Sequence, residues 1–273
     1  MDRVTEALQR ARSASPVAAP SAPAPIASTQ RDQRDPRATR AQRVSGLFQV
    51  DAGAIAALDV NNDGPAFSLS SHKLLAENVV AFDKADPRTR AFDILRNHML
   101  GLLKADLPQV VAVTAPTRGC GVTTMTANLA FSLARSRKQS AVVIDLRHGT
   151  HSLCDTLGLP RVKADDGGAL VDRIRRARAG GAVVNLITPP AGVDVVSFVE
   201  TVKRELRPDI LFLDMPPMLE GDEAAPILPL ADLVLMVLAV GRTSVQELET
   251  CKNFLPSTAR MQVVMNKARP HGM

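Results

Sequence analysis

Residues Thr114-Ala115-Pro116-Thr117-Arg118-Gly119-Cys120-Gly121-Val122-Thr123-Thr124 combine two glycines with paired threonine hydroxyls, the make-up of a loop that wraps phosphate oxygens. In such a loop successive backbone N–H groups and a helix N-terminus face the phosphates, a lysine neutralises their charge, and a Ser or Thr hydroxyl reaches Mg²⁺. Here Gly119 and Gly121 supply the curvature and Thr123 the hydroxyl, while Val122 stands where the lysine belongs. A charge-assisted hydrogen bond contributes ~1.5–3 kcal/mol, so its loss predicts nucleotide binding weakened by about one or two orders of magnitude. Phosphoryl transfer, which rests almost wholly on electrostatics and positioning, should lose more. Arg118 brings a charge into the loop, at a position that does not match the lysine's. The expected phosphate contacts are Arg118, Gly119, Cys120, Gly121, Val122, Thr123 and Thr124.

Two carboxylates extend this chemistry. Asp145 follows the apolar run Ala141–Ile144, and Asp214 closes Ile210-Leu211-Phe212-Leu213. Acids at the C-terminal ends of parallel strands lie where a doubly wound sheet takes its ligands, and Asp214 is placed to hold Mg²⁺ or its water beside Thr123. A helix-capping aspartate is the plainer reading of the same residue. His148 and His151 near Asp145 are read as loop residues, because a two-histidine metal site needs helical presentation and more ligands. No intrinsic metal site is expected.

The elements that must position these groups follow from hydropathy. Val110–Val113, Ala141–Ile144, Val183–Ile187, Val193–Val196, Ile210–Leu213, Leu233–Val240 and Met261–Val264 read as strands, with helical patterns between them. One helix covers Thr126–Arg135; another carries the stripe Ala91, Phe92, Ile94, Leu95, Met99, Leu102 and Leu103 just before the first strand. Near-continuous aliphatic runs separated by helices predict an α/β chain, with a doubly wound, mostly parallel sheet and helices on both faces.

The first 45 residues differ in kind, with eight arginines, no lysine, four acids, five prolines and ten alanines, a net of +4 against +5 for the whole chain. That composition cannot offset the entropy of its own ordering. The predicted organisation is a short amphipathic helix in residues 1–14, a disordered linker over 15–70 and a folded domain over 71–273. The helix either frays or docks on a partner or an anionic surface. Scattered basicity without interleaved aromatics argues against nucleic acid. Cys120, Cys154 and Cys251 show no paired spacing and are expected as reduced thiols. The longest apolar run, Leu233–Val240, is too short to span a bilayer, and no signal segment opens the chain, so a cytoplasmic protein is expected.

From about Asp86 to Lys267 the motifs resemble the bacterial tyrosine kinases of capsular and exopolysaccharide synthesis, the CpsD/CapB type, a branch of the P-loop ATPases that includes MinD and ParA. The loop carries part of the resemblance. More specific are Asp214-Met215-Pro216-Pro217-Met218-Leu219, Leu230-Ala231-Asp232, Val240-Gly241-Arg242-Thr243 and Val263-Val264-Met265-Asn266. The resemblance implies a three-layer P-loop NTPase fold, ATP or ADP with Mg²⁺ as ligands, Asp145 and Asp214 as catalytic acids, Thr123 and Asp214 around the metal, and Asn266 at the nucleotide. It also implies association with a membrane-embedded chain-length regulator, or polysaccharide co-polymerase, and a homo-oligomer.

The departures are specific. Val122 replaces the lysine; Arg147 replaces the second of two aspartates that end the family's second strand; and Arg90, Asp93 and Arg96 keep only the last residue of its oligomerisation motif. The segment from Leu159 to Asp214 is shorter than the family's. The family's tail ends in tyrosines that it phosphorylates, and this chain contains none. These losses touch phosphate binding, metal chemistry and substrate separately. They favour a non-catalytic or weakly active kinase-like protein that regulates exopolysaccharide synthesis by binding the chain-length regulator, which would hold it at the membrane, or an active kinase paralogue. The alternatives are an active kinase or ATPase that acts on a partner with Arg118 or a neighbouring subunit's arginine as the missing cation, and a MinD/ParA-like positioning ATPase.

Overall fold

Aliphatic strands with no polar face must be covered on both sides, and the way alternate residues divide between two cores shows how this is done. The computed structural model describes residues 65–104, 108–147, 152–160, 170–257 and 259–268. The predicted helix of residues 1–14, the linker up to residue 64, His148 and His151 lie outside the described residues.

In chain order the elements are β1 (Phe67–Ser68), α1 (Ser71–Ala76), α2 (Thr89–Leu102), β2 (Gln109–Thr114), α3 (Val122–Ser136), β3 (Ala141–Asp145), α4 (Leu153–Leu157), β4 (Arg175–Ala179), β5 (Ala182–Ile187), α5 (Val195–Leu206), β6 (Ile210–Asp214), β7 (Leu233–Ala239), α6 (Val245–Phe254) and β8 (Arg260–Asn266). They build one sheet in the order β1-β4-β5-β3-β6-β2-β7-β8. Every neighbouring pair is parallel except β4 and β5.

Along β2, Val111 and Val113 join one buried cluster with Phe131 of α3, Met99 of α2 and Leu74 of α1. Val110 and Ala112 join the other, with Phe198 and Val202 of α5 and Cys251 of α6. This alternation sends successive side chains to opposite faces and makes three layers, as expected. No helix of the described residues is long and apolar enough to cross a membrane.

Three expectations are corrected. Val193–Val196, read as a strand, is the start of α5: Asp194 accepts hydrogen bonds from Ser197 N at 3.2 Å and Ser197 Oγ at 2.6 Å. A capped N-terminus with apolar residues at helical spacing outweighs the β-branched run. β4 was not foreseen, because Arg175-Arg176-Ala177-Arg178-Ala179 has no strand-like hydropathy. It forms as the first limb of a hairpin whose two-residue turn, Gly180-Gly181, needs positive φ at both positions (53° and 80°). The folded unit also starts before residue 71, since Phe67 pairs with Ala177 and carries the Arg175 guanidinium 5.6 Å from its ring centroid.

Helix α3, which follows the candidate loop, is firmly held. The buried Asn128 Oδ1 accepts from Val80 N at 2.8 Å and Ala81 N at 2.9 Å, and its Nδ2 donates to Asn78 O and Thr124 O. On the α2 side, Asp93 accepts from Ser132 Oγ and Arg135 Nη2, both at 2.5 Å, and from Arg96 Nη1 at 3.2 Å. Asp93 and Arg96, two of the three positions matched to the oligomerisation motif, bond here to the chain's own α3.

Candidate functional site

The loop between β2 and α3 is hemmed on one side by the segment after β6. Thr114 Oγ1 donates to Pro216 O at 2.8 Å, Met218 N to Ala115 O at 2.9 Å and Leu219 N to Pro116 O at 3.0 Å. On the other side Asn266, the last residue of β8, donates from Nδ2 to Cys120 O at 2.8 Å. Gly119 and Gly121 have φ of 78° and 93°, and both are closely overlaid. A Cβ on Gly119 would fall 2.5 Å from Arg242 Nη1, and one on Gly121 would collide with Asn266 Nδ2.

Helix α3 begins at Val122, and Met125 N donates to Gly121 O at 2.9 Å. The N–H groups of Val122, Thr123 and Thr124 thus precede the intrahelical ladder and present the donors that an anion uses. Val122 itself is only 4% exposed and packs into the same cluster as Val113 and Met125, so an apolar side chain is locked in the lysine's place.

Thr123 Oγ1 donates to Asp214 Oδ2 at 2.9 Å and accepts from Arg147 Nη1 at 3.1 Å. Thr126 Oγ1 lies 3.3 Å from Asp214 Oδ1 and 3.1 Å from Val122 O. Asp145 and Asp214 are direct neighbours in adjacent strands. Asp145 accepts from Arg147 N and Cys154 N, both at 3.2 Å. Burial, then the charge of Asp145, pushes the Asp214 carboxyl up to about 7. Burial also raises Asp145, against the pull of its backbone donors and of Arg147.

Of the sequence-predicted residues, Gly119, Cys120, Gly121, Val122, Thr123, Asp145, Asp214 and Asn266 come together at this end of the sheet. Two side chains turn elsewhere. Arg118, its side chain 73% exposed, forms an ion pair with Glu220 at 2.6 Å, and its backbone N donates to the same carboxylate at 2.5 Å. Thr124 Oγ1 points to Glu77 O at 3.4 Å. Sequence reasoning did not foresee Arg242 over Gly119, or that Arg147 reaches across to Thr123. Arg242 had a signal in the Val240-Gly241-Arg242-Thr243 motif, and Thr126 had one in its helical spacing from Thr123.

The donor set does not suit a divalent ion. Mg²⁺ takes hydroxyl and carboxylate oxygens at near-octahedral angles. A metal on Thr123 Oγ1 would have to share that oxygen with the Arg147 guanidinium, which donates to it at 3.1 Å, and would meet its positive charge. Loop backbone and guanidinium, by contrast, suit phosphate oxygens. The three thiols are free and buried, and burial raises Cys154 and Cys251 to about 11, which removes them from nucleophilic chemistry near neutral pH.

No family model matches the sequence, and no curated protein matches it. Solved structures do. The chimerical protein CapA2B2 superposes with a TM-score of 0.58 at 17% identity, over 75% of this chain and 94% of that one. The VpsO kinase domain gives 0.55 at 19% identity, over 72% and 98%. The kinase domain of Escherichia coli tyrosine kinase ETK gives 0.52 at 20% identity, over 74% and 83%. From β2 to β8 this chain has the α/β P-loop fold of the VpsO and ETK kinase domains.

Proposed function

We propose that this chain is a kinase-shaped P-loop protein without phosphoryl transfer, which works in exopolysaccharide synthesis by binding. Its partner is a membrane chain-length regulator or an active kinase paralogue, met at the cytoplasmic face of the membrane. The observation that carries the reading is Val122, buried in the core where transfer needs a lysine at the β and γ phosphates. Arg147 beside Thr123 and the lack of any tyrosine support it independently. The test is ATP hydrolysis, together with phosphate transfer to a tyrosine-bearing peptide, by the purified full chain. No turnover above background is expected; turnover at about 1 s⁻¹ or faster, as kinases show, would overturn the reading.

One observation favours a second reading, an active kinase of a partner protein. Arg242 lies against Gly119 and could supply the missing charge. In that case Asp214→Asn and Arg242→Ala would each abolish a turnover measurable in the wild type.

A further inference from the structure

The mismatch between this site and a divalent ion has a positive side. Of the groups that would surround the ion, Thr123 Oγ1 is already held by the Arg147 guanidinium, and Asp145 by the Arg147 backbone. Thr123 Oγ1 accepts from Arg147 Nη1 at 3.1 Å while donating to Asp214 at 2.9 Å, and the Arg147 charge acts on both carboxylates. The same residue closes the arrangement through its backbone, donating N–H to Asp145 at 3.2 Å. We infer that Arg147 is the resident cation of this loop, and that the loop binds a nucleoside di- or triphosphate without a divalent metal.

The chemistry is consistent from both sides. A guanidinium is always charged and offers a planar fork that matches two phosphate oxygens. It sets one positive charge beside Thr123 at the edge of the paired acids, yet cannot draw oxygens into the tight octahedron that organises an in-line transfer. Arg242, stacked on Gly119 at the outer side of the loop, adds a second guanidinium. Between them are the N–H groups of Val122, Thr123 and Thr124 at the start of α3. Binding would then survive where transfer fails, which fits a protein that senses a nucleotide and does not consume it. The inference rests on this loop being the phosphate site of the proposed kinase-shaped protein.

Calorimetric titration of the full chain with ADP and with pyrophosphate, in EDTA and in excess Mg²⁺, tests it. Both probes should bind in EDTA, with affinity changed by no more than about twofold when Mg²⁺ is present. Arg147→Ala should lose about tenfold or more, because a charge-assisted contact is gone, and Arg147→Lys should regain part of it. Arg147→Asp should convert the site to one whose ADP affinity rises when Mg²⁺ is added. ADP binding that needs Mg²⁺ in the wild type, failure of both probes to bind in either buffer, or an unchanged affinity in Arg147→Ala would each overturn the inference. ATP turnover followed in the same samples separates the two readings: turnover sinks the silent function, while a metal requirement for binding sinks this one.

Discussion

Asp145 and Asp214 stand side by side as register partners at the ends of β3 and β6, both nearly sealed from solvent. Two carboxylates so placed cannot both ionise freely, and burial together with the Asp145 charge lifts the Asp214 carboxyl from 3.8 to about 7.

This pair makes stability depend on pH in a stated direction. An acid whose folded value lies above its unfolded value holds a proton that the unfolded chain releases, so stability falls as pH rises from near 3.8 through about 7. Asp214→Asn removes that component. The variant should melt above the wild type on the alkaline side of about pH 7, and the gap should close as the pH falls toward 4. Thermal denaturation across that range checks it; a gap that does not vary with pH would count against the buried charge.

Val122→Lys places an ammonium where the loop lacks one. ADP affinity should rise by about one to two orders of magnitude, measured by calorimetry. Stability should drop at the same time, because the side chain leaves a packed apolar site. Unchanged affinity would mean that the loop backbone no longer follows the phosphates.

Arg118→Ala should leave nucleotide affinity unchanged. The guanidinium is held by Glu220 at the surface, and exposed pairs of this kind contribute about 0–1 kcal/mol. A loss of affinity beyond about tenfold would show that Arg118 leaves Glu220 for the ligand.

Asn128→Leu should destabilise the fold by about 2–4 kcal/mol, since the N–H groups of Val80 and Ala81 would be left buried without their acceptor. Urea unfolding gives the number. A near-neutral effect would mean that water reaches the segment between α1 and α2.

The sheet was legible in the sequence because its strands are buried on both faces: runs such as Val110–Val113 and Ile210–Leu213 have no polar residue to confuse the pattern. β4 was not, because a hairpin limb near the sheet edge tolerates three arginines in five residues and takes its register from the Gly180-Gly181 turn. Val195 at the head of α5 misled for the opposite reason, β-branched residues being allowed in a helix once Asp194 caps it. At the site, loop curvature and the end-of-strand acids were readable as local features. The reach of Arg147 to Thr123, and of Arg242 to Gly119, depends on how β3 and the end of β7 lie around β2, which no local pattern encodes.

Asn266 fastens the loop from the edge strand two places along the sheet from β2, 146 residues downstream of the carbonyl it holds. The last strand therefore works like a latch: the Cys120 carbonyl is pinned only while β8 stays docked on β7, so local opening of β8 would release the loop. β8 is also the edge strand of the described sheet, so an unpaired strand edge and the loop are joined through a single side-chain bond.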